Sequence, residues 1–301
     1  MRYFFLFALI FFSSFVSLQA SKQEKIVYPL ENDPIDVVFV SHPKDKITLE
    51  YAIDGIKKNG ANIRRVIVVS PQKITDKAEF FDEKRFPFKK EEIGLAIGRG
   101  NRQRAELFFM GMHRTESWYY QQCLKLYAPF VIDDISPNVL IVDADTIFMN
   151  PVTFLNESNG ALFCTNSAKE AKPAYFRHAA RLVPGYKRMK PKVYSVCHHM
   201  LFQRPILEDL FRTVEEYHEE EFWKAFCHCV NLKKNEGASE FEIYFSFALS
   251  HTDQVALRPL KWINHPDFRK RKQLQSEEYV YASFHDYLNK KKEYEKKRKD
   301  K

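Results

Sequence analysis

Between Asp36 and Val69 the chain holds two short apolar runs with a helical repeat between them, and this arrangement limits the folds open to it. Asp36-Val37-Val38-Phe39-Val40 reads as a compact strand, and Arg65-Val66-Ile67-Val68-Val69 as the next buried strand. Between them Leu49, Ala52, Ile53 and Ile56 recur at helical spacing, and Gly60 stops that helix. A strand, a helix and a strand within about 35 residues make one crossover unit, whose two strands lie parallel in one sheet.

Val139-Leu140-Ile141-Val142 is a further apolar run, the kind a strand buried on both faces requires. Asp143-Ala144-Asp145 follows it directly. Open α/β sheets bind their ligands in the crevice beyond the carboxyl ends of the strands, which is where these two carboxylates fall. With one residue between them they can share a hard divalent cation held by oxygen ligands. A loop that is merely acidic would carry the same letters.

Further along, Ser117 to Pro129 reads as an amphipathic helix on which Gln121, Gln122 and Lys125 share a neighbourhood. A lysine there is expected to be solvated. The segment from Pro71 to Arg104 reads as charged loop, and Arg99 and Arg102 beside its glycines suit an anion-handling loop as well as a plain solvated one. Gly160 to Cys164 is expected to form a short strand, Tyr194 to Phe202 a strand carrying His198 and His199, and Pro205 to about Glu221 a helix. Ser239 and Glu242 have the spacing of a capping box, which gives Glu242 a structural task. Glu240 then stands at the first helical position, expected to be exposed at the amino end. There the helix dipole stabilises it, as a helix start or as a catalytic base. A late strand, Tyr279 to Phe284, ends at His285.

Hydrophobic residues make up 45% of the 301, enough for a large core. The net charge is +8, but residues 290–301 hold eight Lys or Arg against three acids, so the body is only mildly basic and is not read as a nucleic-acid binder. The cysteines Cys123, Cys164, Cys197, Cys227 and Cys229 are too few and uneven for a disulfide framework, although one bridge fits. Cys197-His198-His199 and Cys227-His228-Cys229 do not have the spacing of zinc fingers or ribbons, and neighbours on a strand point to opposite faces. Residues 1–20 have the pattern of a signal peptide or signal-anchor with Ala20 last before cleavage. The expected organisation is that segment, a lead-in over 21–33, one domain over 34–288 and a basic tail over 289–301. Delivery would be to the secretory pathway (ER or Golgi lumen, secreted, or periplasmic in a bacterium), with membrane attachment if the segment over 3–18 is retained. Asn156-Glu157-Ser158 is a glycosylation sequon.

Taken together, these segments resemble the GT-A glycosyltransferases. More narrowly, Trp118-Tyr119-Tyr120-Gln121-Gln122 with Leu124-Lys125-Leu126, Val142-Asp143-Ala144-Asp145-Thr146, His198-His199-Met200-Leu201-Phe202 and Ser239-Glu240-Phe241-Glu242-Ile243-Tyr244 are similar to a family of predicted glycosyltransferases without a defined substrate. The resemblance covers roughly Pro34 to Leu288 and implies one GT-A (Rossmann-like) α/β domain, with a mostly parallel central sheet flanked by helices. It implies a nucleoside-diphosphate sugar as donor and a glycan, lipid or protein hydroxyl as acceptor. It implies Mn²⁺ or Mg²⁺ held by Asp143, Asp145 and His285. It further implies that Glu240 deprotonates the acceptor in an inverting reaction, and that Ser41 to Asp45 lie near the nucleoside. Lys125, or Arg99 and Arg102, would add positive charge at the diphosphate. One departure is Ser239-Glu240 where such enzymes usually carry Glu-Asp. A secreted metal-dependent phosphoester or nucleotide hydrolase could use the same Asp143/Asp145 pair, and a catalytically inactive sugar-binding protein would keep it.

Overall fold

β1 (Ile35–Val40) is buried at every position and forms the centre of the main sheet. The computed structural model describes residues 25–110, 116–167, 171–188, 192–233 and 237–285. After β1 come α1 (Lys46–Asn59), β2 (Ile63–Ser70), β3 (Glu79–Asp82), α2 (Lys90–Ile97), α3 (Arg102–Met110) and α4 (Glu116–Val131). The middle of the chain supplies β4 (Asn138–Asp143), β5 (Thr146–Phe148), β6 (Leu162–Phe163), β7 (Asn166–Ser167), α5 (Pro173–Leu182), β8 (Val193–Tyr194) and β9 (His199–Gln203). The last part holds α6 (Arg204–His218), α7 (Phe222–His228), α8 (Glu240–His251), β10 (Ala256–Leu257), β11 (Trp262–Asn264), α9 (Arg271–Ser276) and β12 (Tyr281–Ser283).

The five-stranded main sheet runs β3-β2-β1-β4-β9. β1 is parallel to β2 and to β4, β2 is parallel to β3, and β9 closes the far edge antiparallel to β4. The chain thus builds outward from β1 in one direction and then returns to its other side with β4. The crevice where such an order reverses lies beyond the carboxyl ends of β1 and β4. Register sets Val40 level with Asp143, and Val142 level with His199. The architecture is α/β with a mostly parallel central sheet, as the βαβ start of the sequence requires.

A three-stranded sheet sits beside it, in the order β11-β12-β5. β12 pairs antiparallel with β5, Ser283 opposite Thr146, and β11 lies parallel outside β12. α1 packs against β5 so closely that a Cβ on Gly55 would lie 2.5 Å from the Phe148 carbonyl oxygen. Asn59 Nδ2 donates to that same oxygen at 3.0 Å, tying the end of α1 to the strand that leaves Asp145.

At the opposite end of the main sheet, Asp36 is fully buried. It accepts from Arg64 Nε (2.8 Å), Arg64 Nη2 (2.6 Å), Arg65 Nε (3.1 Å) and the Ser136 amide (2.8 Å). Burial pushes its carboxyl upward, but these bonds outweigh it and leave the group below its ordinary value.

Some expected elements take another form. The segment from Pro71 to Arg104 contains β3, α2 and the start of α3, where a charged loop was expected. α2 buries only Ile93, Gly94 and Ile97, too narrow a stripe to stand out among its charges. The expected strand from Tyr194 to Phe202 is two strands, broken where His198 takes a left-handed φ of 64°. The helix from Pro205 stops at His218, because Glu219 turns left-handed at φ 56°. The signal segment and the basic tail lie outside the described residues. No helix among the described residues is long and apolar enough to cross a membrane. The sequon amide of Asn156 is already used: Nδ2 donates to Gln254 O at 2.8 Å, and Oδ1 accepts from the Ser158 and Gly160 amides.

Asp36→Asn should destabilise the chain by about 3 kcal/mol at neutral pH, since it leaves two arginines facing a neutral amide. Because the folded carboxyl is depressed, its contribution is complete above about pH 4 and is lost as pH falls through the lower folded value. Urea unfolding across pH 2–7 should show a shallower acid limb in the mutant; parallel curves would remove Asp36 as an acid-sensitive clamp.

Candidate active site at the ends of β1 and β4

β4 delivers Asp143 to its last position, and Asp145 follows in the turn into β5. Both carboxylates therefore sit in the crevice beyond β1 and β4, the place the sequence indicated. Their partners come from three other parts of the chain.

Lys125 is on the face of α4 turned to the sheet and is 2% exposed, where solvation was expected. Its Nζ donates to Asp143 Oδ1 at 2.5 Å and to Glu240 Oε1 at 2.7 Å. Burial alone would pull this ammonium's pKa down. The two carboxylates outweigh that and raise it, so the lysine stays charged. Asp143 is likewise pushed up by burial, and more strongly held down by Lys125 and by His198, so it is ionised.

Glu240 is the first residue of α8, as read from the Ser239 cap, and it is also 2% exposed rather than open at the helix end. Burial raises its carboxyl, with Lys125 pulling in the other direction. Its amide donates to Gln122 Oε1 at 3.3 Å, one turn of α4 before Lys125. The Gln122 and Lys125 neighbourhood is thus a docking face for α8. The capping box is half formed. Ser239 Oγ accepts from the Glu242 amide at 3.4 Å, but the Glu242 carboxylate does not fold back to the cap. It accepts instead from Ser195 Oγ (2.5 Å), Ser246 Oγ (2.6 Å) and Tyr186 OH (2.8 Å). These hydroxyls compete well with the cap amide because they reach it inside the core.

Two histidines complete the cluster. His285 follows β12, with Nδ1 2.6 Å from Asp145 Oδ2 and Nε2 3.1 Å from Asn264 Oδ1. Burial lowers its pKa, and the bond to Asp145 outweighs that and raises it. His198 places Nδ1 3.1 Å from Asp143 Oδ2, and its ring lies 4.6 Å from that of His285. His199 turns the other way, into rings of Phe148, Phe154 and Tyr281, where burial lowers its pKa to about 3 and keeps it neutral.

The donor set of two carboxylates and two imidazoles suits Mn²⁺, and the carboxylates suit Mg²⁺. Asp145 Oδ1 is buried without a hydrogen-bond partner, an acceptor left for an incoming cation or donor. As the side chains stand, each carboxylate pairs with a histidine, and no three His, Cys, Asp or Glu residues among those described converge on one point. The chemistry of the residues fits a hard cation; binding one requires that these pairs open.

The remaining expected residues divide. Ser41, just past β1, is 7% exposed, and its hydroxyl has no partner. Asp45, from the same loop, holds the N-cap position of α1 without a side-chain cap bond. Arg99 is not available to an anion: its guanidinium donates to the carbonyls of Cys227 (3.1 Å), His228 and Val230 (3.0 Å), closing the end of α7. Arg102 is exposed at the start of α3. Trp262 and Asn264, on β11, belong to no motif read in the sequence. A shallow cavity of about 440 Å³, open to solvent, lies there, lined by Asn166, Lys261, Trp262, Asn264 and Tyr279. Another, of about 370 Å³ between α3 and Leu232, contains none of the residues of the cluster.

Fold and site together define an α/β protein with a carboxylate–imidazole cluster at the switch point of its sheet. The chain belongs to DUF6492, a family of unknown function whose model matches residues 58–300. No curated protein matches the sequence. Among solved structures it is similar to the mannosyltransferase Ktr4p from S. cerevisiae (13% identity, TM-score 0.47, over 76% of this chain and 69% of that one). It is also similar to the galactosyltransferase LgtC, solved with donor and acceptor sugar analogues (14%, 0.44, over 83% and 86%). A third is the bifunctional glycosyltransferase WbbM (13%, 0.40), where the match covers 87% of this chain but only 47% of the other.

Lys125→Met should cost about 3 kcal/mol in urea unfolding, because it leaves the buried Glu240 carboxylate without its cation and takes one of the two holds on Asp143. Adding Glu240→Gln should recover part of that loss, with a coupling of about 1 kcal/mol or more in the double-mutant cycle. Additive effects would show that the two groups are not energetically joined.

Proposed function

We propose that this chain transfers a sugar from a nucleoside-diphosphate donor to an acceptor hydroxyl, with a divalent cation at Asp143 and Asp145. The observation that carries this is the pairing of those carboxylates with His198 and His285 at the switch point, with Asp145 Oδ1 buried and unpartnered. When bound, the cation, held by Asp143, Asp145 and His285, would act as a Lewis acid on the leaving diphosphate.

The chain's own residues prepare that site. Lys125 and His198 each grip one oxygen of Asp143, so the carboxylate is oriented before any ligand arrives. Lys125 neutralises part of the negative charge of the cluster, which limits the repulsion an incoming diphosphate meets. Ser41 offers its hydroxyl to the nucleoside at the end of β1. Glu240, buried and paired to Lys125, supports a positioning role better than that of an open base. It fixes the ammonium against Asp143 from the rigid start of α8. Replacement of the glutamate would then act through Lys125.

Calorimetry with a panel of nucleoside diphosphates should find binding that requires Mn²⁺. Asp145→Asn preserves volume and removes one charged ligand, and His285→Ala removes one imidazole. Each should weaken that binding by about tenfold or more, with little change in melting temperature. Affinity equal to the parent's in Asp145→Asn would end the metal–diphosphate assignment.

A further inference from the structure

We infer that the cavity on β11 receives the acceptor as a pyranose ring, stacked on Trp262 and hydrogen-bonded by the amides of Asn166 and Asn264. This rests on the sugar-transfer reading and assigns a part of the site that reading leaves open.

The argument starts from an aromatic stack. Tyr281 is fully buried on β12, and Trp262 lies over it on β11 with ring planes 8° apart and centroids 5.3 Å apart. Register places the two directly opposite. Trp262 is therefore the outer layer, half-buried, and it faces the cavity of about 440 Å³. An indole at the wall of a polar cavity offers a flat apolar surface to the C–H groups of a sugar ring. The rim of such a ring carries hydroxyls, and the cavity lining supplies polar side chains in Asn166 and Asn264. Asn264 Oδ1 already pairs with His285 and Asn166 Oδ1 with the Ser167 amide, so what the two amides present to a ligand is their Nδ2 groups, which a wholly apolar ligand would cover without a bond.

The position of the cavity identifies which sugar it holds. Contacts run from Ser41 and Val40 at the end of β1, to Asp143 level with Val40, to His198 on Asp143, and on to Trp262, whose ring meets His198 edge-on at 5.5 Å. A parallel line runs from Asp145 through His285 to Asn264. The cavity is thus at the far side of the carboxylate cluster from the place proposed for the nucleoside. With the nucleoside at the end of β1 and the diphosphate at the cluster, the cavity beyond His198 and His285 is left for the acceptor.

The experiment uses the full chain. Saturation-transfer NMR with a panel of methyl hexopyranosides reads the cavity, and calorimetry with nucleoside diphosphates and Mn²⁺ reads the carboxylate cluster. The parent should bind at least one pyranoside through its ring C–H face. Trp262→Phe should weaken that binding and Trp262→Ala lower it about tenfold or more, the scale of one good aromatic contact. Asn166→Ala, on β7 and outside the ring stack, should lower it in the same direction. Nucleoside diphosphate affinity should stay at the parent's value in Asn166→Ala, whose side chain lies outside the carboxylate cluster. A parent that binds no pyranoside, or Trp262→Ala and Asn166→Ala chains that bind as well as the parent, overturns the proposal. Pyranoside binding that depends on Trp262 in a parent that binds no nucleoside diphosphate would instead remove the transferase reading and leave the cavity a sugar site.

Discussion

One ammonium group joins the parts of this protein that build the candidate site. Lys125 has no route to water and two carboxylates within hydrogen-bond reach, from β4 on one side and α8 on the other. A charge in such surroundings is tolerable only while both partners stay in place. α4, β4 and the start of α8 are therefore fixed relative to each other by an electrostatic requirement as well as by packing. Gln122 adds a neutral bond between the same two helices. The crevice at the end of β4 takes its shape from that junction.

The second constraint comes from the small sheet. β5 leaves the Asp143-Ala144-Asp145 turn and pairs with β12, so His285, two residues past β12, is brought back to Asp145 by strand register. The absence of a side chain at Gly55 lets α1 rest directly on the Phe148 carbonyl and hold β5 down. Two remote pieces of sequence, 140 positions apart in the case of Asp145 and His285, become neighbours without either carrying a local signal of the other.

What the sequence disclosed follows from this division. The parallel core was legible because apolar runs bounded by turns and a helical repeat are local patterns. The Asp143/Asp145 pair was legible because its place at a strand end is also local. The helix start at Ser239 was read correctly for the same reason. Burial of Lys125 and Glu240 was not, because each is masked only by the other and by elements far along the chain. Glu242 met its expected cap only through the backbone, since hydroxyls from Ser195, Ser246 and Tyr186 exist around it only after folding. Arg99 looked available in a glycine-flanked loop and is consumed by the end of α7. His198 was visible only as one of two adjacent histidines, and nothing in its neighbours announced that the backbone would reverse hand there.

That reversal sets folding and chemistry against each other at a single residue. A left-handed backbone at φ 64° costs a side-chain-bearing residue about 1 kcal/mol that glycine would not incur. The most comfortable occupant of position 198 is therefore one with no imidazole, which would relax the chain and leave Asp143 without its second hold. Backbone ease and the grip on Asp143 are opposed at this one position, so a glycine there would gain in the first what it loses in the second.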